Sequence, residues 1–233
     1  MEVRTILIIF VLIILLYWLF SWLFSKSSQL THLSDATVNQ IILANTLPNN
    51  SYSNNYTYSM WIYVNDWNYR FGEPKIILGR LDDNSNPSPS ITLGAMENNL
   101  NIAVSCYPTD SKSTNPVIHQ CNVSNVPLQR WTNILVSVYG RTLDAYLDGK
   151  LVRTCVLPGV PKVSSTSNIT ITPNGGFNGQ TSNVQYWENP TNPEQAFNIY
   201  SNGYAGSILG NYFNSFGFRV TFIAGNKQGS VNL

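Results

Sequence analysis

Catalysis by paired carboxylates is the first chemistry to test, because it needs only two acidic side chains held at a fixed separation. A retaining displacement at an acetal carbon requires two carboxyls roughly 5–5.5 Å apart, which same-face positions of one strand provide. The acidic residues of this chain are scattered, and no Asp or Glu pair stands at i, i+2. Asp144 and Asp148 could share a strand face, but Asp148 stands before Gly149 and reads as a turn residue. Glu73 and Glu97 lie beside turn residues as well. His32 and His119 stand alone, with no C-x-x-C or H-E-x-x-H around either, so neither zinc nor any other metal is expected. No G-x-S-x-G elbow and no phosphate-cradling glycine loop occurs, so no cofactor is expected. The chain is therefore expected not to be an enzyme.

Three groups of residues remain as candidates for binding or modification. Trp67, Tyr69, Arg70 and Phe71 cluster in the loop NDWNYRFGEP, and aromatic and Arg groupings are typical of partner contacts. The competing reading is that Trp67 plugs the end of a sandwich. Cys106 and Cys121 flank the polar loop YPTDSKSTNPVIHQ and could face each other on neighbouring strands. A disulfide there would close a loop of about fifteen residues and contribute around 3 kcal/mol. The alternative is that these two and Cys155 are unpaired thiols. Sequons occur at Asn49, Asn55, Asn122 and Asn168, a number that this Asn-, Ser- and Thr-rich composition yields by chance. They are candidate glycosylation sites only if the domain faces a lumen or the exterior.

The elements that would position these residues begin with a membrane segment. Residues 5–24, TILIIFVLIILLYWLFSWLF, contain no charge. Twenty helical residues at about 1.5 Å each match the roughly 30 Å of a hydrocarbon core. Tyr17, Trp18 and Trp22 suit an interface, and bulky residues run up to Ser25 without the small-residue pattern of a cleaved signal. The expectation is a short flank at 1–4, a single transmembrane helix over 5–24 contacting the lipid bilayer, and a polar tether over 25–36. Arg4 on one side and Lys26 on the other leave the orientation open.

From Thr37 onward short apolar runs alternate with Asn, Asp, Gly and Pro clusters, and no long stretch holds a 3.6-residue period. Strands are predicted at 37–43, 56–64, 74–80, 90–95, 99–105, 117–122, 132–139, 142–148, 151–156, 168–172, 177–187 and 218–223. Leu100, Ile102 and Val104 share one face, as do Ile134, Val136 and Val138, which suits sheets with one buried side. Asp148-Gly149 predicts a two-residue hairpin turn. Many short strands with regular turns make a sandwich or barrel. An apolar content of 43% argues against disorder, while 11% charged residues and a net charge of +1 leave no footprint for nucleic acid.

Three phrases carry a resemblance: YTYSMWIYVNDW at 56–67, RWTNILVSVYGRTLDAYLDGKLV at 130–152 and FNGQTSNVQYW at 177–187. Their order and spacing resemble the laminin-G-like, concanavalin-A-like jelly roll. The resemblance implies an all-β antiparallel β-sandwich over 37–205, with a C-terminal extension over 206–233 that holds an edge or docking strand. Some members of that fold are glucanases with a Glu-x-Asp-x-x-Glu strand, which is absent here. Others bind calcium at the rim, but Gln180-Thr181-Ser182-Asn183 stands where an acidic residue is frequent in the family, and Asp82-Asp83-Asn84 reads as a solvated loop.

Two further phrases, 66–80 and 212–233, resemble membrane-anchored laminin-G-like proteins of large nucleocytoplasmic DNA viruses, including algal viruses. That resemblance implies a single-pass virion component, a minor capsid or internal-membrane protein docking to other capsid or membrane proteins. The alternative is a membrane-anchored carbohydrate-binding or adhesion domain whose partners are glycans.

Overall fold

The computed structural model describes residues 14–15, 29–48, 54–108, 115–204, 219–224 and 227–232. Two antiparallel sheets pack face to face. The first contains β1 (Gln29–Thr31), β13 (Asn178–Trp187), β4 (Tyr56–Asp66), β9 (Trp131–Tyr139), β10 (Thr142–Leu147) and β11 (Lys150–Val156) in that order, with β2 (Ser34–Asp35) also pairing β13. The second runs β3 (Gln40–Ile42), β12 (Ile169–Ile171), β5 (Lys75–Leu81), β6 (Pro87–Leu93), β7 (Leu100–Cys106) and β8 (Val117–Val123). Each strand predicted between Thr37 and Trp187 is present within a few residues of its expected bounds.

The core between the sheets follows from period-two alternation. Tyr56, Tyr58, Met60, Ile62 and Val64 of β4 point inward beside Ile134, Val136 and Val138 of β9. Ile91, Ile102 and Cys121 lie abreast on the facing sheet. The β10–β11 turn forms as expected, with Asp148 and Gly149 both at positive φ, 50° and 72°. Glycine removes the Cβ penalty at the second of these positions.

Several expectations are corrected. The stretch 25–36 is not wholly a tether, since β1 and β2 add short edge pairings to β13. Strands of three and two residues leave too little alternation to be seen in a sequence. The outer face of the seven-stranded sheet is also covered. Helix α1 (Pro193–Ser201) lays Ala196 and Ile199 against Leu135 and Tyr146. Its start carries a full capping box between Asn192 and Gln195, with Pro193 in the first turn. Trp61 and Trp131 lie on this outer face, stacked on Tyr200 and Tyr204.

The cysteine pairing differs too. In the β7–β8 ladder Cys106 opposes Val117 and Cys121 opposes Ile102, four positions apart, or about 13 Å at the rise of a strand. That separation is too great for a disulfide. Cys121 bonds Cys155 of β11 instead, with Cα atoms 6.1 Å apart, and Cys106 is a buried free thiol.

The strand predicted at 218–223 forms as β14 (Arg219–Ala224), but it pairs with β15 (Lys227–Asn232) in a separate two-stranded sheet. Among the described residues it pairs with no strand of the sandwich. The transmembrane expectation over 5–24 falls outside the described residues, apart from Ile14 and Leu15, which are helical and exposed. Among the described residues no helix is long and apolar enough to cross a membrane.

Candidate functional site

A cleft of about 820 Å³ opens on the outer face of the six-stranded sheet. Its floor is set by register. Ile76, Thr92, Asn101 and Asn122 form one row across β5, β6, β7 and β8, and Ala103 and Gln120 stand in the next. All six belong to the outward half of their strands' alternation, so the inward neighbours that build the core also aim these side chains at the cleft. Asn101 donates its side-chain amide to the Gln120 side-chain carbonyl at 3.4 Å. Among the described residues, the side chains of Thr92, Asn122 and Asn174 make no hydrogen bond.

Two loops wall the floor. The turn Gly94–Asn99 closes through the Gly94 N–H on the Asn99 carbonyl at 2.9 Å. A Cβ at Gly94 would lie 1.9 Å from Asn99 Oδ1 and 2.6 Å from the Glu97 carbonyl, so only glycine permits this turn. The loop after β4 is the second wall, tied to the first by the Gly72 N–H donating to the Ala95 carbonyl at 3.0 Å.

This second wall holds the four residues predicted to contact a partner. Trp67 is half-buried against the core, with Lys75 Nζ 4.5 Å from its ring centroid. Tyr69 donates its hydroxyl to the Gly175 carbonyl at 3.1 Å. Arg70, at φ 55°, pairs with Glu73 at 2.8 Å and donates to the Asn174 carbonyl. Phe71 stays 57% exposed. The four therefore share one end of the sandwich, but Trp67, Tyr69 and Arg70 have intramolecular roles there and Phe71 alone is largely open to solvent.

Charge in the cleft is low. Arg70 and Glu73 cancel, which leaves Glu97, whose carboxylate accepts the Asn99 side-chain amide at 3.5 Å. Side-chain amides and a hydroxyl supply both donors and acceptors, while Ile76, Ala103 and the exposed Met96 give apolar ground. That mixture matches a ligand with many hydroxyls and at least one C–H face.

Of the sequon candidates, Asn122 reaches the cleft and is exposed on its floor. Asn55 accepts the Gly140 N–H at 2.8 Å, and Asn168 accepts the Ala44 N–H at 2.9 Å, through their side-chain oxygens. Asn49 is outside the described residues. Asp82 caps its own turn, accepting from the Asn86 side chain and the Asn84 and Asn86 backbone; these bonds hold its carboxyl below the usual range. Among the described residues no three His, Cys, Asp or Glu converge as a metal site. The sequence reading missed the cleft floor, because outward amides on separate strands look like an ordinary solvated face until register aligns them.

Fold and cleft together define a jelly-roll sandwich with an open polar cleft on one sheet. The chain belongs to the concanavalin A-like lectin/glucanases superfamily, whose model matches residues 35–226. No curated protein matches it. Among solved structures it resembles the botulinum neurotoxin serotype D ligand binding domain in complex with N-acetylneuraminic acid, at 13% identity and a TM-score of 0.57, covering 89% of this chain and 54% of that one. The receptor binding domain of the C/D mosaic serotype gives 13% and 0.57, covering 89% and 55%. The serotype D binding domain gives 14% and 0.55, covering 84% and 51%. At such identities the likeness is one of fold, and this chain spans about half the length of those structures.

Proposed function

We propose that this chain is a non-enzymatic, membrane-tethered carbohydrate-binding domain. The observation that carries the reading is the row Thr92–Asn101–Asn122 with Gln120 beside it, amides and a hydroxyl presented side by side on a rigid sheet. Superfamily membership supports a saccharide as the ligand class. The serotype D neurotoxin structure was solved with an anionic sugar, whereas here the one cation at the cleft, Arg70, is spent on Glu73. The expected ligand is therefore a neutral oligosaccharide. Scattered carboxylates support binding without hydrolysis, and the uncharged residues 5–24 support a single transmembrane anchor.

The test is a glycan array probed with the detergent-solubilised full chain. Binding to neutral glycans is expected, with a loss of at least tenfold in the Asn101→Ala, Gln120→Ala double variant. Absence of binding across a broad array overturns the reading. Extraction of the chain from membranes by high salt without detergent overturns the tether.

A second setting for the same tethered module is the virion, as a minor capsid or internal-membrane protein. The phrases at 66–80 and 212–233 favour it, the first of them forming the wall that carries exposed Phe71. Its test is the protein content of purified virions, where absence of the chain ends the idea.

A further inference from the structure

We infer that the sandwich resides on the oxidising, non-cytosolic face of its membrane, with residues 1–4 on the cytosolic face. The inference rests on the proposed tether for its membrane part and on the disulfide for its compartment part. The charges flanking residues 5–24, Arg4 and Lys26, do not decide orientation. The pairing of Cys121 with Cys155 does.

These two residues sit on the edge strands of opposite sheets, β8 and β11, which share no backbone ladder. Each is placed by its own hairpin, Cys121 opposite Ile102 and Cys155 opposite Leu143. Two independent ladders bring the Cα atoms to 6.1 Å, within the span of a disulfide, and both side chains are buried. The bond is thus a covalent closure of one open side of the sandwich, made between sheets that hydrogen bonds do not join at that edge.

Its formation removes two protons and two electrons from the two thiols. A disulfide-bearing oxidant of the compartment takes them and becomes a dithiol. Glutathione and thioredoxin keep such pairs reduced in the cytosol, while lumenal and extracellular spaces retain them. The third cysteine does not interfere. Cys106 is fully buried, with its thiol donating weakly to the Val104 carbonyl at 4.0 Å, so it supplies no accessible thiolate to open the bond.

The test expresses the full chain in a eukaryotic cell and takes sealed microsomes. Thiols are trapped at lysis, denatured, and counted by mass-tagged maleimide before and after reduction. One tag is expected before reduction, on Cys106, and three after; the Cys155→Ser variant should carry two before reduction whether or not it folds stably. In sealed vesicles added protease should leave the sandwich intact until detergent is present. Three tags before reduction, or digestion of the sandwich in sealed vesicles, overturns the inference. A chain absent from the membrane fraction would sink the tether, and the thiol count alone would then decide the compartment.

Discussion

The rings of Trp131 and Tyr204 lie 4.5 Å apart and within 6° of parallel. Trp131 opens β9 and Tyr204 follows α1, so this stack fastens the segment after β13 to the outside of the sheet. Trp61 against Tyr200, at 5.5 Å and 20°, repeats the arrangement one strand away. The Ser182 hydroxyl donating to the Tyr204 carbonyl at 2.7 Å adds a polar tie. The segment covers Leu135 and Tyr146, which would otherwise face water. Alanine at either Trp131 or Tyr204 should destabilise the domain in urea melts, and a double-variant cycle should return a coupling of about 0.5–1.5 kcal/mol. A coupling near zero would mean that the stack does not hold the segment.

The helix start makes a separate prediction. Asn192 accepts the Gln195 N–H at 2.8 Å, and Gln195 returns a side-chain bond to the Asn192 N–H at 3.1 Å. Asn192→Ala should cost about 1 kcal/mol, and Asn192→Asp should recover most of it. Thermal melts of the unaltered protein and the two variants read the difference directly. Equal melting temperatures for the unaltered protein and the alanine variant would show that the box carries no stability.

Removing the inter-sheet bond should cost more. The sequence separation of 34 between Cys121 and Cys155 gives about 4 kcal/mol of unfolded-state entropy in the chain-closure model. Cys155→Ser should therefore lower the denaturant midpoint sharply, and a reducing agent should do the same to the unaltered protein but not to the variant. An equal response of both proteins to the reductant would contradict this account.

What could be read from the sequence, and what could not, divides along physical lines. The twelve predicted strands announced themselves because a strand's pattern is local: Leu100, Ile102 and Val104 alternate whatever lies across from them. The Asp148-Gly149 turn is local too. The disulfide partner was not legible, because Cys121 meets Cys155 only after two sheets have packed. The cleft was hidden for the same reason, with Asn122 brought abreast of Asn101, and Gln120 into the next row, by register alone. Helix α1 did leave a signal, Asn192-Pro193-Glu194-Gln195, but its nine residues offer only Ala196 and Ile199 as an apolar face. Such a short stripe does not stand out against β-rich surroundings.

Lys75 gives a prediction with a pH dependence. Its side chain is almost fully buried at the end of the sandwich, over the Trp67 ring, and its ammonium donates to the Glu73 carbonyl at 3.5 Å. Burial, reinforced by the nearby Arg70 cation and partly offset by Glu73, holds its pKa below the ordinary 10.5. A folded-state pKa below the unfolded value means that the unfolded chain binds more protons in the interval between them. Stability attributable to Lys75 therefore rises with pH across that interval and levels off above 10.5, while the penalty for the buried cation is fully present below the folded pKa. Lys75→Met removes that penalty and keeps most of the packing on Trp67, at the loss of the cation–π contact. Near neutral pH the variant should melt at a higher temperature than the unaltered protein. The advantage should shrink as pH climbs toward 10.5. A variant that melts lower at neutral pH would show that the contact with Trp67 outweighs the cost of burying the charge.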